Sequence, residues 1–443
     1  MKVVNITPHI GGGVGAVLAD YVRSCETLGV ENSLFCLDWC AVRVDNFNNT
    51  KIHQGIFWGN KKSLYKALSS CDVVLIHYWN HPLLTVFLAD FDLSKFKVAI
   101  WCHNSGLTEP HIIPNYVAEL ADNLVFSSGS SLRAPNIDRL CSSSAGNFTV
   151  VASVRELQDF LNIAANRVIR KSRPRLLYVG TVAKSKMHPD SAKIFATLSR
   201  HGLLVRVVGG PDHEQLAKEA ESLGGQIEFF GQVDNVIDFY KDSDIFVYPL
   251  RNDHYGTGEQ VILEALASGL QVVAFDNAAE AEILNRFEGA KLANSTDEFI
   301  NSVLQMADSP ESTFQSGMQN SKRASSLFGP GTMTKQLIDV LHKSSIIMSR
   351  LNEPSFITIP KFSLLSIYAR SSFFDDQIYR SLLNSPEQGI DIVLSAIKER
   401  TKTPEQISKW QTSTKSTPAH YLRYFPGNTE IANLVNYVDN LSI

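Results

Sequence analysis

DIFVYPLRNDHYGTGEQVILEALASGLQVVAF, residues 244–275, decides the fold. Its first apolar run, DIFVYPL, has the length of a strand. A polar loop containing Gly256 and Gly258 follows. EQVILEALASG then carries apolar residues at helical spacing and stops at Gly269, and QVVAF is a second short apolar run. Strand, helix and strand in succession, with both strands apolar throughout, predict a parallel pair joined by a crossover helix and covered on both faces. The loop before the helix falls where open α/β sheets bind ligands, outside the carboxyl ends of the strands.

The alternation extends both ways. RLLYVGT, LLVRVVGG and QIEFFG precede this stretch as strands, separated by the helical segments HPDSAKIFATLSRHG, DHEQLAKEAESLGG and DNVIDFYKDS, and the helical AAEAEILNRF follows it. Further upstream KVVNIT, NSLFCLD, DVVLIHY, KVAIWCH and NLVFSS form a first series, with helical AVLADYVRSCETLG, KKSLYKALSS and HPLLTVFLADF between them. The basic segment NRVIRKSRPRLL separates the two series. The expectation is an α/β chain with two Rossmann-like, doubly wound domains, residues 1–168 and 174–345, facing across a cleft. Residues 346–443 turn Pro/Ser/Thr-rich with helical pieces and are expected to be an appended, mostly helical segment of unassigned role.

A chain of 443 residues suits two or three domains, and 44% hydrophobic residues supply their cores. A net charge of -4 argues against a dedicated nucleic-acid binder. The six cysteines form no CxxC pair and no zinc spacing, so they read as reduced, buried thiols. MKVVNITPHIGGG lacks the apolar run of a signal peptide, and no stretch approaches the roughly 18 to 20 apolar residues of a membrane span. A cytoplasmic location is expected, with peripheral membrane contact left open.

Five post-strand loops carry candidate sites. In IGGGVG, Gly12, Gly13 and Gly15 allow close backbone approach at a helix N-terminus, although a tight turn explains them equally. It is not GxGxxG, and only Asp38 could mark a dinucleotide ribose, so a dinucleotide site is disfavoured. In WCHNSG, His103, Asn104 and Ser105 suit substrate hydroxyls or a developing charge; the plainer reading is a histidine bonded to backbone. In VGTVAKSKMHP, Gly180 precedes Lys184 and Lys186, and Lys186 is the better phosphate partner. In IEFFGQVDN, the backbone of Gln232 and Val233 after Gly231 could face a flat base. In the opening stretch, Thr257 and Gly258 lead into a helix whose first turn holds Glu259, favourable on dipole grounds alone. Glu264 stands among Val261, Ile262, Leu263, Ala265 and Leu266; a carboxylate in such surroundings needs a partner, and ribose hydroxyls would supply one, the plainer alternative being an amphipathic helix that exposes Glu264.

These sites, in this order, resemble those of the retaining glycosyltransferases of family 4 (glycosyl transferase group 1), over about residues 1–345. VGTVAKSKM keeps that family's glycine and lysine as Gly180 and Lys186, with Thr181 where arginine is usual. Its F-x-G-x-V is FFGQV, and its E-A-M-A-x-G-x-P-V-V is EALASGLQVV, which makes Glu264 the ribose glutamate. Gly12 to Gly15 and His103 match its first-domain loops. The family's other glutamate, eight residues before Glu264, is replaced by Gly256, with Glu259 nearby.

The resemblance implies a GT-B fold and transfer of a sugar, with retention, from a nucleotide-sugar donor, UDP-linked, to an acceptor hydroxyl. His103 and Glu259 would be catalytic. Gly13, Gly15, Gly180, Lys186, Gln232, Val233, Thr257, Gly258 and Glu264 would hold the donor, and Gly12, Asn104 and Ser105 the acceptor. No metal and no further cofactor are expected. The acceptor could be a glycan, a lipid-linked sugar or a protein. A non-catalytic GT-B subunit and a sugar-nucleotide epimerase are the competing readings.

Overall fold

The apolar runs become strands of two parallel sheets. The computed structural model describes residues 1–40, 47, 50–59, 61–142, 147–170, 172–257, 260–329, 331–346, 363–412 and 415–441. The first sheet contains β1 (Lys2–Thr7), β2 (Glu31–Cys36), β3 (Lys51–His53), β4 (Val73–Tyr78), β5 (Val98–Cys102), β6 (Asn123–Phe126) and β7 (Phe148–Val150), in the order β3-β2-β1-β4-β5-β6-β7. The second contains β8 (Arg175–Val179), β9 (Leu204–Val208), β10 (Ile227–Phe229), β11 (Ile245–Tyr248), β12 (Gln271–Phe275) and β13 (Lys291–Ala293), in the order β10-β9-β8-β11-β12-β13. The strand order reverses between β1 and β4 in one sheet and between β8 and β11 in the other. Those two reversals are where an open α/β sheet leaves a crevice at its carboxyl edge.

Strand periodicity explains why β4 reads as an unbroken apolar run. Val73 and Leu75 enter a core with Val3, Trp101 and Leu337, while Val74, Ile76 and Tyr78 enter the core on the other face with Ile6, Ile100 and Leu83. A strand covered on both faces has no solvent side to make polar.

The chain divides into one compact unit of Met1–Ser153 with Met333–Ile443 and another of Val154–Thr332. The limits drawn from sequence shift accordingly. Residues 154–168 leave the first domain, because the helix Gln158–Ala165 packs within the second unit and Arg167 donates there to the carbonyls of Tyr240, Ser243 and Ser268. Arg170 and Arg175 of the supposed basic linker pair with Asp244 and Asp242. Residues 333–345 leave the second domain, because Leu337, Ile338, Val340 and Leu341 lie in the core of the first unit.

The described residues after 362 form six α-helices, from Leu364–Ser372 to Thr429–Asp439, around a core that includes Tyr368, Phe373, Ile397, Trp410 and Leu434. This segment belongs to the first unit and is joined there by polar contacts: Thr85 Oγ1 to the Tyr421 hydroxyl at 2.9 Å, buried, and Asn115 Nδ2 donating to Asp376 at 2.7 Å, half-buried. Among the described residues no helix is long and apolar enough to cross a membrane.

Candidate functional site

In the second unit the reversal between β8 and β11 gathers Gly180, the lysine loop and the loop after β11. Lys186 Nζ donates to the Tyr248 hydroxyl at 3.0 Å and stands 5.5 Å from the centre of that ring. The loop is laced to the strand beside it: Arg251 N–H donates to the Lys186 carbonyl at 3.0 Å, and the Arg251 guanidinium donates to the Lys184 carbonyl at 3.1 Å. Asp253 accepts from Arg251 Nε at 2.5 Å. This leaves Lys186 partly buried at the crevice while Lys184 points its carbonyl inward. Sequence reasoning missed Arg251. The signal was a single arginine directly after an apolar run, in YPLR, where a buried cation needs partners.

The loop that follows is held from below. Gly256 N–H donates to His254 Nδ1 at 3.0 Å, so Nδ1 is the acceptor and the ring hydrogen sits on Nε2. His254 Nε2 meets Glu280 Oε1 at 2.9 Å, and Asn277 Nδ2 donates to the same oxygen at 3.2 Å. Glu280 is fully buried, and its Oε2 has no hydrogen-bond partner among the described residues. Gly256, where the resembling family has a carboxylate, thus turns its amide towards an imidazole backed by a carboxylate from another element. Thr257 is buried. Gly258 and Glu259 lie outside the described residues.

Glu264 is buried, which removes the alternative of a helix that exposes it. Its partners come from the protein: the Tyr240 hydroxyl donates to Oε2 at 2.9 Å, and Arg155 Nη1 lies 3.4 Å from Oε1. A ligand is therefore not needed to satisfy the charge, although two oxygens with about four lone-pair positions retain acceptor capacity. Burial pushes the Glu264 carboxyl above the ordinary glutamate range, opposed by Arg155 and by the Tyr240 hydrogen bond. Neither Tyr240 nor Arg155 was legible as a partner, since they stand 24 and 109 residues away in the chain. Gln232 is exposed and Val233 half-buried, in the loop after β10 at the edge of the sheet and two strands from the reversal.

In the first unit His103 follows β5 and continues its ladder, donating its N–H to the Tyr78 carbonyl at 2.7 Å. Its ring belongs to a polar chain. Asn5 Nδ2 donates to Asn32 Oδ1 at 2.9 Å, which leaves Asn5 Oδ1 to accept from His77 Nε2 at 3.2 Å. His77 Nδ1 then accepts from His103 Nε2 at 3.1 Å, and His103 Nδ1 faces the Ser153 hydroxyl at 3.1 Å. The two imidazoles stack 5.4 Å apart. Burial depresses both: His77 falls to about 3, and His103 drops well below its usual value, pushed further by His77 and Lys415. Both rings are neutral at physiological pH, and His103 relays hydrogen bonds without carrying charge. His77 and Ser153 escaped the sequence reading.

Asn104 and Ser105 are buried. Asn104 Nδ2 donates to Asn80 Oδ1 at 2.7 Å and to the His111 carbonyl at 2.9 Å; Asn104 Oδ1 and Ser105 Oγ have no partner among the described residues. Gly12 and Gly13 are exposed at the start of the helix Gly12–Thr27. Gly15 is buried, and a Cβ there would stand 1.9 Å from the Ile10 carbonyl oxygen, so its requirement is helix packing. Asp38 lies after β2, where its Oδ1 accepts from Trp39 N–H at 2.8 Å and Trp58 Nε1 at 3.2 Å.

Residues 159–321 match the family model of the glycosyl transferases group 1. The match covers the second unit almost end to end and includes Gly180, Lys186 and Glu264. No curated protein matches the chain. Among solved structures, a glycosyltransferase from Rickettsia africae is similar at 13% identity and a TM-score of 0.57, over 78% of this chain and 99% of that one. Anabaena HepE in complex with UDP is similar at 13% identity and 0.58, over 77% and 100%. Sucrose-phosphate synthase from Thermosynechococcus elongatus is similar at 13% identity and 0.53, over 77% and 99%. At such identities the likeness establishes the fold: two parallel-sheet α/β domains of the GT-B type.

Proposed function

We propose that this protein is a retaining glycosyltransferase that moves a sugar from a nucleotide-sugar donor to an acceptor hydroxyl. The observation that carries the reading is the group 1 family match over the unit whose sheet reversal presents Gly180 and Lys186. In this reading the donor's nucleotide occupies the carboxyl edge of the second sheet. Lys186 meets the diphosphate, whose charge grows as the bond to the sugar breaks. The N-terminus of the helix Gln260–Ala267 adds its dipole. Glu264 accepts from the ribose hydroxyls, with Tyr240 and Arg155 fixing its orientation. The bond from the anomeric carbon to the diphosphate breaks, a bond to the acceptor oxygen forms on the same face, and the acceptor's proton leaves with the nucleoside diphosphate. A UDP-linked donor is proposed because neighbours of the same fold were solved with UDP and UDP-glucose. The first unit takes the acceptor, with His103 as the proposed catalytic residue there and Gly12, Asn104 and Ser105 beside it; the acceptor is a glycan, a lipid-linked sugar or a protein.

The test is release of nucleoside diphosphate from UDP-glucose and other nucleotide sugars, with and without candidate acceptors, beside a thermal-shift screen of the same nucleotides. Acceptor-dependent release supports the reading. Absence of nucleotide-induced stabilisation for every nucleotide tried would sink it. One observation favours a second reading, a non-catalytic nucleotide-sugar binder: Gly256 carries no carboxylate, and its amide is committed to His254. That reading predicts stabilisation by nucleotide without turnover.

A further inference from the structure

Two tryptophans stand out from the carboxyl edge of the first sheet. Trp39, in the loop after β2, is 69% exposed, and Trp58, closing the short helical turn Ile56–Trp58 after β3, is 50% exposed. Indole rings are ordinarily buried, and a pair left in solvent on a rigid edge marks a binding surface.

Neither ring is loose. The Trp39 indole packs closely against Gly55: a Cβ at that position would come within 2.3 Å of the ring, and Gly55 has a positive φ of 68°. Trp58 is oriented by its Nε1 donating to Asp38 Oδ1 at 3.2 Å. The two loops are tied together by Gly55 N–H to the Asp38 carbonyl at 3.2 Å and Phe57 N–H to the Leu37 carbonyl at 3.0 Å. Asp38 is therefore an ordered acceptor, bonded to the Trp58 indole and to the backbone amide of Trp39. The C-terminal helices buttress the arrangement: Phe425 packs edge-on against Phe57, and the neighbouring Tyr424 hydroxyl bonds His81 Nε2 at 3.0 Å.

A ligand that fits this surface must offer a flat apolar face to an indole and hydroxyl donors to a carboxylate. A pyranose ring does both, with C–H bonds on one face and hydroxyls around its rim. A rigid, preformed platform also spares the binder most of the ordering cost. We infer that Trp39, Trp58 and Asp38 form a saccharide platform, and that the acceptor of this protein is an oligosaccharide whose ring stacks there. The inference deepens the proposed function and rests on the reading that the first unit takes the acceptor. It singles out the glycan among the acceptor classes and gives the C-terminal helices a role, as support for the acceptor surface.

The experiment uses the full chain with chitobiose, cellobiose and maltotriose as probes, followed by saturation-transfer NMR and tryptophan fluorescence, with UDP affinity by calorimetry in parallel. At least one probe binds the wild type, and Trp39→Ala and Trp58→Ala each weaken it about tenfold or more. Trp39→Phe, which keeps a flat ring, restores most of the affinity. UDP affinity is unchanged in all three variants, which also shows that they are folded. Saccharide binding that survives both alanine changes overturns the platform, as does failure of every probe with the wild type. A wild-type dimer that Trp39→Ala or Trp58→Ala dissociates overturns it in favour of a protein interface. Absence of UDP binding in the wild type strikes instead at the donor reading, so the two failures are distinguishable.

Discussion

Glu264→Gln separates a ligand-binding carboxylate from a merely structural one. The change keeps the side chain's shape and removes its charge. For stability two effects oppose. The Arg155 pairing at 3.4 Å and the charged character of the Tyr240 bond at 2.9 Å are lost. The cost of burying the carboxylate, which is the dominant influence on its pKa, is lost too. The net change in folding free energy should stay within about 1 kcal/mol, a shift of roughly 2–4 °C for a unit of this size. Binding has no such cancellation. A charged hydrogen bond to ribose is worth about 1.5–3 kcal/mol, so UDP affinity should fall roughly tenfold to over a hundredfold. Calorimetry with UDP and a melting scan read the two quantities separately. The pH dependence gives a second handle. The folded-state pKa is raised above the unfolded value of about 4.3, so this group's stabilising contribution is present below the ordinary glutamate range and is lost as pH rises through the raised value. Nucleotide binding needs the charged form and runs the other way, weakening as pH falls through that same value. Glu264→Gln should flatten both trends. A UDP affinity within about twofold of wild type, together with a melting point lowered by many degrees, would refute the binding role and leave Glu264 as the partner of Tyr240 and Arg155 alone.

Lys186→Ala should weaken UDP about tenfold to a hundredfold while uridine binding barely changes, measured by calorimetry; equal losses for both ligands would indicate a folding defect. His254→Leu removes one of the two hydrogen-bond donors to fully buried Glu280, leaving Asn277, and should cost about 2–3 kcal/mol in urea denaturation. His254→Leu with Glu280→Leu should cost clearly less than the sum of the single changes, and additivity would show that the pair is not coupled. His103→Ala should lower turnover at saturating donor and leave UDP affinity unchanged; full turnover would remove His103 from the reaction.

The most plainly legible strands are those buried on both faces. VVLIHY and QVVAF announce themselves because neither face meets water, and both are buried at every position. The three-residue edge strands KIH, FTV and KLA did not announce themselves, since none sits in an apolar run, whereas the equally short edge strand in QIEFFG showed itself through Ile227, Phe229 and Phe230. The unit boundary was misplaced for an electrostatic reason. NRVIRKSRPRLL looks like a solvated linker by composition, yet Arg167, Arg170 and Arg175 find their carboxylates on Asp242 and Asp244, about 70 residues later. Pairings of that separation leave no local trace. The same holds for Glu264: its apolar neighbours pointed towards burial, but only the fold settles it and reveals what it is buried against.

The C-terminal helices make the same point on a larger scale. Their Pro/Ser/Thr content suggested an appendage, and an appendage would meet its host through exposed groups. Here the host's polar groups at the joint are buried or half-buried. Asn80 donates to the Ser371 carbonyl at 3.3 Å, the Tyr116 hydroxyl faces Ser371 Oγ at 3.2 Å, and the Phe374 amide donates to Glu109 at 2.6 Å, with Arg400 on the same carboxylate. Buried donors and acceptors left without partners are costly, so Asn80, Tyr116 and Glu109 are suited to a first unit that carries these helices. The residues so anchored include those just after β4, at the reversal of the first sheet where Trp79 and His81 stand. A segment that fixes the loops at a sheet's ligand-binding edge helps to set what that edge can hold, and this one has a packed core of its own, with Tyr368, Trp410 and Tyr421 buried in it.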